Sequence, residues 1–315
     1  ASATAYLNWT PASSSTAQKW TWSGWVKRGK ISTGALQTIF AQRPNAGATN
    51  QTGIWVYITG SDQIDISGQS LDWLITAPVY RDPSGWYHVV LSVDTTQATA
   101  SNRMSLYVNG TQVTSFGTDN RSSITQNGTL GANLANPAFI GSTATSYLFD
   151  GYQAEINMID GQALTPSSFG QTDSATGVWV PKKYSGTYGA NGFYLPLTDT
   201  SSTTNLVKDN APIDATHTAA NNWTPNNISL TAGTTYDSMI DVPYCTGQTG
   251  GTQPSGNYCV MNPLDCGSAL LTNGNLKFNN NGSYLNFARA NFGVSSGKWY
   301  WEYKTTTASA NNYAL

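Results

Sequence analysis

Arg81-Asp82-Pro83-Ser84-Gly85-Trp86-Tyr87-His88-Val89-Val90-Leu91-Ser92-Val93-Asp94, followed by Met104-Ser105-Leu106-Tyr107-Val108-Asn109-Gly110-Thr111-Gln112-Val113, is the stretch that decides the fold. Tyr87, Val89, Leu91 and Val93 alternate with Trp86, His88, Val90 and Ser92, the period of a β-strand with one buried face. Met104, Leu106 and Val108 repeat the pattern. Asn109-Gly110 then supplies two residues that tolerate positive φ, as a type I′ hairpin turn requires. The block fixes a β fold and names no reaction.

Outward from it, Trp20–Lys27, Gln37–Gln42, Ile54–Ile58, Ala138–Gly141 and Tyr152–Ile159 read as further strands. Pro44-Asn45, Thr52-Gly53, Asn127-Gly128, Asp150-Gly151 and Asp160-Gly161 punctuate them. No window carries a helical period. The best helical turn is Pro166-Ser167-Ser168-Phe169, with Thr165 as its cap. Many short strands between regular turns predict an all-β, antiparallel β-sandwich.

Composition narrows the partners. Charged residues make up 10% of the 315 residues, against roughly 25% in ordinary soluble domains. Ser, Thr, Asn and Gly replace them, a style of surface common in extracellular and virion β-proteins. The net charge is −2 and the pI about 5.6, and no basic cluster exceeds Lys27-Arg28 or Lys182-Lys183. A nucleic-acid partner is therefore not expected. No apolar run reaches the roughly 18 residues of a membrane span, and Ala1-Ser2-Ala3-Thr4-Ala5 does not read as a signal peptide.

Composition shifts after Leu197. Residues 199–244, poor in apolar side chains up to Asn227, read as a linker or peripheral segment that Trp223 pins to a neighbour. Residues 245–315 hold all three cysteines, Cys245, Cys259 and Cys266. Cys245 and Cys259 are close enough in sequence to bridge a loop, and the spacing does not suit zinc. Strand patterns return at Asn275–Phe278, Tyr284–Phe287 and Lys298–Tyr303. The last wants a sheet to cover it, so a second, truncated β-domain is expected here.

Residues 1–198 resemble the laminin-G-like, concanavalin-A-like jelly-roll domains of bacteriophage tail and other structural proteins. Trp22–Lys27, Arg81–Asp94, Leu106–Gly110 and Phe149–Leu164 carry the resemblance. The later segments Gly177–Tyr184 and Gly192–Leu195 are similar to the phage versions in particular. Asn273–Leu276 with Ser296–Glu302 is similar to the opening of a SPRY domain. The resemblance implies a non-enzymatic protein of a virion appendage, such as a tail fibre or head fibre. Its partners would be other virion proteins and host cell-surface carbohydrate, and analogy with fibres implies a homotrimer. A purely structural docking module and a polysaccharide-degrading enzyme are the alternatives.

Candidate chemistry is sparse. A glycosidase needs two carboxylates about 5 to 9.5 Å apart. The two glutamates, Glu155 and Glu302, fall in different expected domains. Asp150 and Asp160 read as turn residues, Glu155 as an outward strand position, and His88 as structural. Glycan binding needs aromatic rings beside amides and carboxylates. The segment Gly60–Gly85, read as a long loop, supplies Trp73, Tyr80, Asp62 and Asp65 for that purpose, with a core role for Trp73 weighed equally. No cofactor is required. Calcium, which some laminin-G-like domains bind at the sandwich rim, would draw on Asp62, Asp65 and Asp82.

Overall fold

The computed structural model describes residues 4–304 apart from 16, 44–52, 145, 232–236, 238–241, 244, 246–258, 268–269, 273–274 and 280–286. The strands, in chain order, are β1 Tyr6–Trp9, β2 Lys19–Arg28, β3 Gln37–Gln42, β4 Ile54–Ile58, β5 Ile64–Ser67, β6 Asp72–Thr76, β7 Tyr87–Asp94, β8 Met104–Val108 and β9 Thr111–Gln112. They continue as β10 Phe116–Asp119, β11 Ala138–Ile140, β12 Gly151–Asp160, β13 Gly170–Thr172, β14 Trp179–Pro181, β15 Phe193–Leu195, β16 Thr224–Asn226, β17 Leu270–Thr272 and β18 Lys277–Asn279. A single α-helical turn, α1, spans Thr203–Leu206.

Two antiparallel sheets face each other. One has eight strands in the order β10-β6-β5-β4-β3-β11-β1-β16, the other six in the order β15-β12-β2-β7-β8-β9. Alternation along each strand sends one row of side chains inward. Val89, Leu91 and Val93 of β7 meet Ile54, Val56, Ile64, Ile66 and Leu74 of the opposite sheet in one core, with Trp20 and Trp22 among its largest members. Burial of each such side chain is worth roughly 1.5–3 kcal/mol. The expected turn is present: Asn109 and Gly110 both have positive φ, 49° and 80°, and join β8 to β9. The Trp179 ring lies so close to Gly110 that a Cβ there would sit 2.9 Å from it, so glycine is required twice over.

The expectation of one buried face on β7 needs correction, because both faces are covered. Val90 packs outward with Ile159, Phe169, Tyr188 and Tyr194 in a second apolar cluster. The β13–β14 hairpin and the chain leading to β15 form this outer layer. His88 lies beneath it, stacked between Trp25 (4.8 Å) and Trp179 (6.0 Å).

Residues 199–244 are not a simple linker. Leu206, Val207 and Trp223 enter the main core, and β16 pairs with β1 as the last strand of the larger sheet. Trp223 packs at a tilt against Trp9 and edge-on against Phe193. Ser202, not foreseen as a cap, accepts the Asn205 N–H at the start of α1. The expected turn at Pro166–Ser168 is a single 3₁₀ turn, and Thr165 precedes it without a side-chain cap.

In 245–315 the described pieces include the β17–β18 hairpin. The expected strand Lys298–Tyr303 has no ladder among the described residues. Its aromatic side chains stand in solvent, Tyr300 at 85% exposure. The expected turn at Pro44-Asn45 lies wholly, and the expected strand at Tyr284–Phe287 mostly, outside the described residues.

Candidate functional site

The segment Gly60–Gly85, expected as a loop, contains β5 and β6 and divides its four candidate residues among three environments. Trp73 is a core residue at 1% exposure. In the β5–β6 register Ile66 faces Leu74 while Ser67 faces Asp72, so Trp73 is the extra residue of a bulge and joins Leu74 in the core. It has no face to offer a sugar.

Asp62 is fully buried. Its carboxylate accepts from Arg28 Nη1 (2.8 Å), Arg81 Nε (2.8 Å), Ser32 N (2.7 Å) and Ser32 Oγ (2.7 Å). Burial opposes ionisation, but these four bonds outweigh it and hold the carboxyl well below the usual range. Four acceptor positions are all a carboxylate has. Asp82 spends Oδ1 on the backbone and hydroxyl of Ser84, as a turn former does. Among the described residues no group of three His, Cys, Asp or Glu is placed to hold a metal. The structure therefore does not bring the expected calcium donors Asp62, Asp65 and Asp82 together among the described residues.

Tyr80 is 9% exposed, packs edge-on against Tyr87, and accepts Arg28 Nη1 at its carbonyl. It lines a shallow cleft of about 260 Å³ with Pro78, Val108, Gln112 and Val113.

Asp65 is on the outer face of the larger sheet, and there the structure brings together a set that the sequence did not suggest. Opposed residues in neighbouring strands share a face, so Tyr57 stands beside Asp65, Trp55 beside Ser67, and Ser67 beside Asp72. Ser67 Oγ is 2.7 Å from Asp65 Oδ1 and 3.1 Å from Asp72 Oδ1. Burial, and then the charge of Asp72, raise Asp65 to about 7, against the Ser67 hydrogen bond. Burial also raises the Tyr57 phenol, with Tyr147 and Asp65 adding to it. Tyr147, half exposed, sets its ring edge-on to Tyr57 at 5.9 Å. Its carbonyl accepts both the N–H and the hydroxyl of Thr38, which anchors the loop at the sheet. Trp55 is partly exposed and Asp72 exposed. The alternation of Trp55-Val56-Tyr57 is the sequence signal for the ring pair. Nothing in the sequence indicates Tyr147.

The other polar centres are structural. His88 Nδ1 accepts from Trp179 Nε1 (2.9 Å), so Nε2 carries the proton toward Ser23 Oγ (2.9 Å). Burial lowers its pKa to about 3. Glu155, expected to point outward, is 3% exposed. A bulge between Ala154 and Asn157 gives it a φ of 52° and turns it under the outer layer. There it accepts from Tyr194 Oη at 2.6 Å and lies 3.4 Å from Cys245 Sγ. All three cysteines are free thiols, with Cys245 buried and Cys259 exposed, so the contemplated bridge is not formed.

Two stacked antiparallel sheets, with aromatic and carboxylate side chains on the outer face of one, define a lectin-like β-sandwich. The profile of Laminin_G_3, the Concanavalin A-like lectin/glucanases superfamily, matches residues 1–169, and the chain belongs to this family. No curated protein matches it in sequence. Among solved structures it is similar to a native heptameric SAP-like pentraxin from Limulus polyphemus (15% identity, TM-score 0.38, 52% of this chain and 73% of that one). It is similar also to the CBM40 of the Ruminococcus gnavus IT-sialidase bound to α2,3-sialyllactose (15%, 0.34, 48% and 80%). A third is domain 4 of a GH43 extracellular arabinanase from Geobacillus stearothermophilus in complex with arabinotriose (18%, 0.33, 50% and 65%). These are likenesses of the sandwich alone.

Proposed function

We propose that the chain is a non-enzymatic carbohydrate-recognition module whose binding face is the outer face of the eight-stranded sheet. The observation that carries this reading is the placing of the partly exposed Trp55 and the half-exposed Tyr147 on one surface, over the buried Tyr57 and beside the Asp65–Ser67–Asp72 cluster with its exposed Asp72. Rings that stack on the apolar face of a sugar, beside acceptors for its hydroxyls, are what glycan binding requires. Family membership is consistent with it. Calorimetric titration of glycan-array hits into the full chain tests it. Trp55→Ala and Tyr147→Ala are expected to weaken binding with the circular dichroism unchanged; full affinity in both would remove the reading.

We further propose that the module belongs to a virion appendage, where it contacts host carbohydrate and other virion proteins as a homotrimer. The low charge content and the phage-like segments support this, as does the SPRY-like pattern of Asn273–Leu276 and Ser296–Glu302. Labelling of intact particles with an antibody to the chain is the test, and absence from particles would end the proposal. A module that docks without binding sugar would give particle labelling and no glycan titration.

One observation favours a hydrolase as the second reading. Asp65 and Asp72 lie within one hydroxyl of each other, and the first is raised to about 7 while the second is solvent-exposed. Two carboxyl groups at short range, one of them raised, are the parts of a retaining glycosidase. Release of reducing sugar from a bound glycan, abolished by Asp72→Asn, would establish it.

A further inference from the structure

The proposed face has unmet hydrogen bonds. Tyr57 is 7% exposed and its Oη has no hydrogen-bond partner among the described residues. Asp65 is 5% exposed; Oδ1 is engaged by Ser67, and Oδ2 has no partner among those residues. The two side chains oppose each other across β4 and β5. Neither oxygen is among the fully enclosed polar atoms that lack a partner, so both reach the surface and are open to a ligand. A sugar hydroxyl, which both donates and accepts, suits the pair.

The charge of the face then selects among sugars. Ser67 has one proton and stands between two carboxylates, so it cannot donate to both. Both contacts become hydrogen bonds when Asp65 holds a proton, donates to Ser67 Oγ, and Ser67 donates to Asp72. One negative charge is then present, and two when Asp65 is ionised. Among the described residues the titratable groups beside Asp65 are Tyr57 on β4 and Asp72 on β6, with Tyr147, on the loop before β12, set against Tyr57; none is a cation. Arg43, past the end of β3, acts on Tyr57 but not on Asp65.

We propose, resting on the reading of this face as a glycan site, that it takes neutral glycans and rejects those bearing carboxylate or sulfate groups. Like charges brought together at a binding surface are strongly unfavourable. Because Asp65 is raised to about 7, the second negative charge develops as pH rises through neutrality, and rejection of acidic sugars strengthens over that interval.

The test is calorimetric titration of the full chain at pH 5.5 and pH 8 with neutral hexose oligosaccharides, oligogalacturonate and sialyllactose. Neutral glycans are expected to bind with affinities that agree within about twofold at the two pH values. Acidic ones should bind at least about tenfold more weakly, with the gap wider at pH 8 and narrowed by the surface substitution Asp72→Asn. Tighter binding of the acidic glycans, or a gap that neither pH nor Asp72→Asn moves, overturns the proposal while leaving a glycan site in place. Binding of neither class overturns the glycan reading and this inference with it.

Discussion

Asp62 and Asp65 are close in sequence and ionise in opposite senses. Asp62 is depressed by its partners, so its stabilisation is present above its ordinary pKa and is lost as pH falls below it. Removing one partner of a buried pair leaves the other charge uncompensated, at about 3–5 kcal/mol. Asp62→Asn strands Arg28, whose side chain is fully buried. Urea unfolding should show a loss of that size; a loss below about 1 kcal/mol would mean that Arg28 finds other partners. Asp65 is raised, from 3.8 to about 7. The folded chain holds a proton that the unfolded chain has released, so this contribution is full at low pH and is lost as pH rises through 7. Relative to wild type, Asp65→Asn should gain stability between pH 4 and pH 8. A difference that is flat over this range would contradict the buried, proton-holding Asp65. His88 runs the other way: lowered to about 3, it favours the fold above 6.5 and weakens it as pH falls from there.

The strands themselves were legible in the sequence, and what bulges hid was the surroundings of single residues. Ile54–Ile58 forms as read, as does Gln37–Gln42 in spite of a register shift between Thr38 and Phe40, and the Asn109-Gly110 turn has the φ values its residues imply. Trp73, for which the sequence allows a core role as readily as a sugar-binding one, and Glu155 each sit at a bulge. Trp73 goes to the core, whereas Glu155 faces outward as read but is buried by the outer layer that carries Tyr194. The site escaped notice because its parts come from β4, β5, β6 and a distant loop; no local spacing links Trp55 to Asp72 or Tyr147. Residues 199–244 read as a linker or a peripheral segment pinned by Trp223, because the contribution of their described part to the core is concentrated in three side chains, Leu206, Val207 and Trp223. Trp223→Ala should therefore cost about 3–5 kcal/mol, as for other buried tryptophans. A fragment ending at residue 198 should unfold at lower urea than one ending at 230. Equal midpoints would return this segment to the status of a linker.

At the scale of the molecule the two sheets have different duties. The central strands of the six-stranded sheet, β12, β2 and β7, lie between the common core and the layer that holds His88, Tyr188 and Tyr194. Among the described residues only its β8–β9 edge, beside the shallow cleft, is left open. The eight-stranded sheet keeps its outer face for Trp55, Tyr57, Asp65, Ser67 and Asp72, with Tyr147 over them. The block Arg81–Val113 that revealed the fold is thus scaffold, and recognition is assigned to the sheet opposite. Amide hydrogen exchange of the full chain, free and saturated with the tightest neutral glycan, tests that assignment most directly. Protection confined to Ile54–Ile58, Ile64–Ser67, Asp72–Thr76 and the Tyr147 loop is the predicted result. Protection instead at Pro78–Tyr80 and Val108–Ser115, around the shallow cleft, would contradict it.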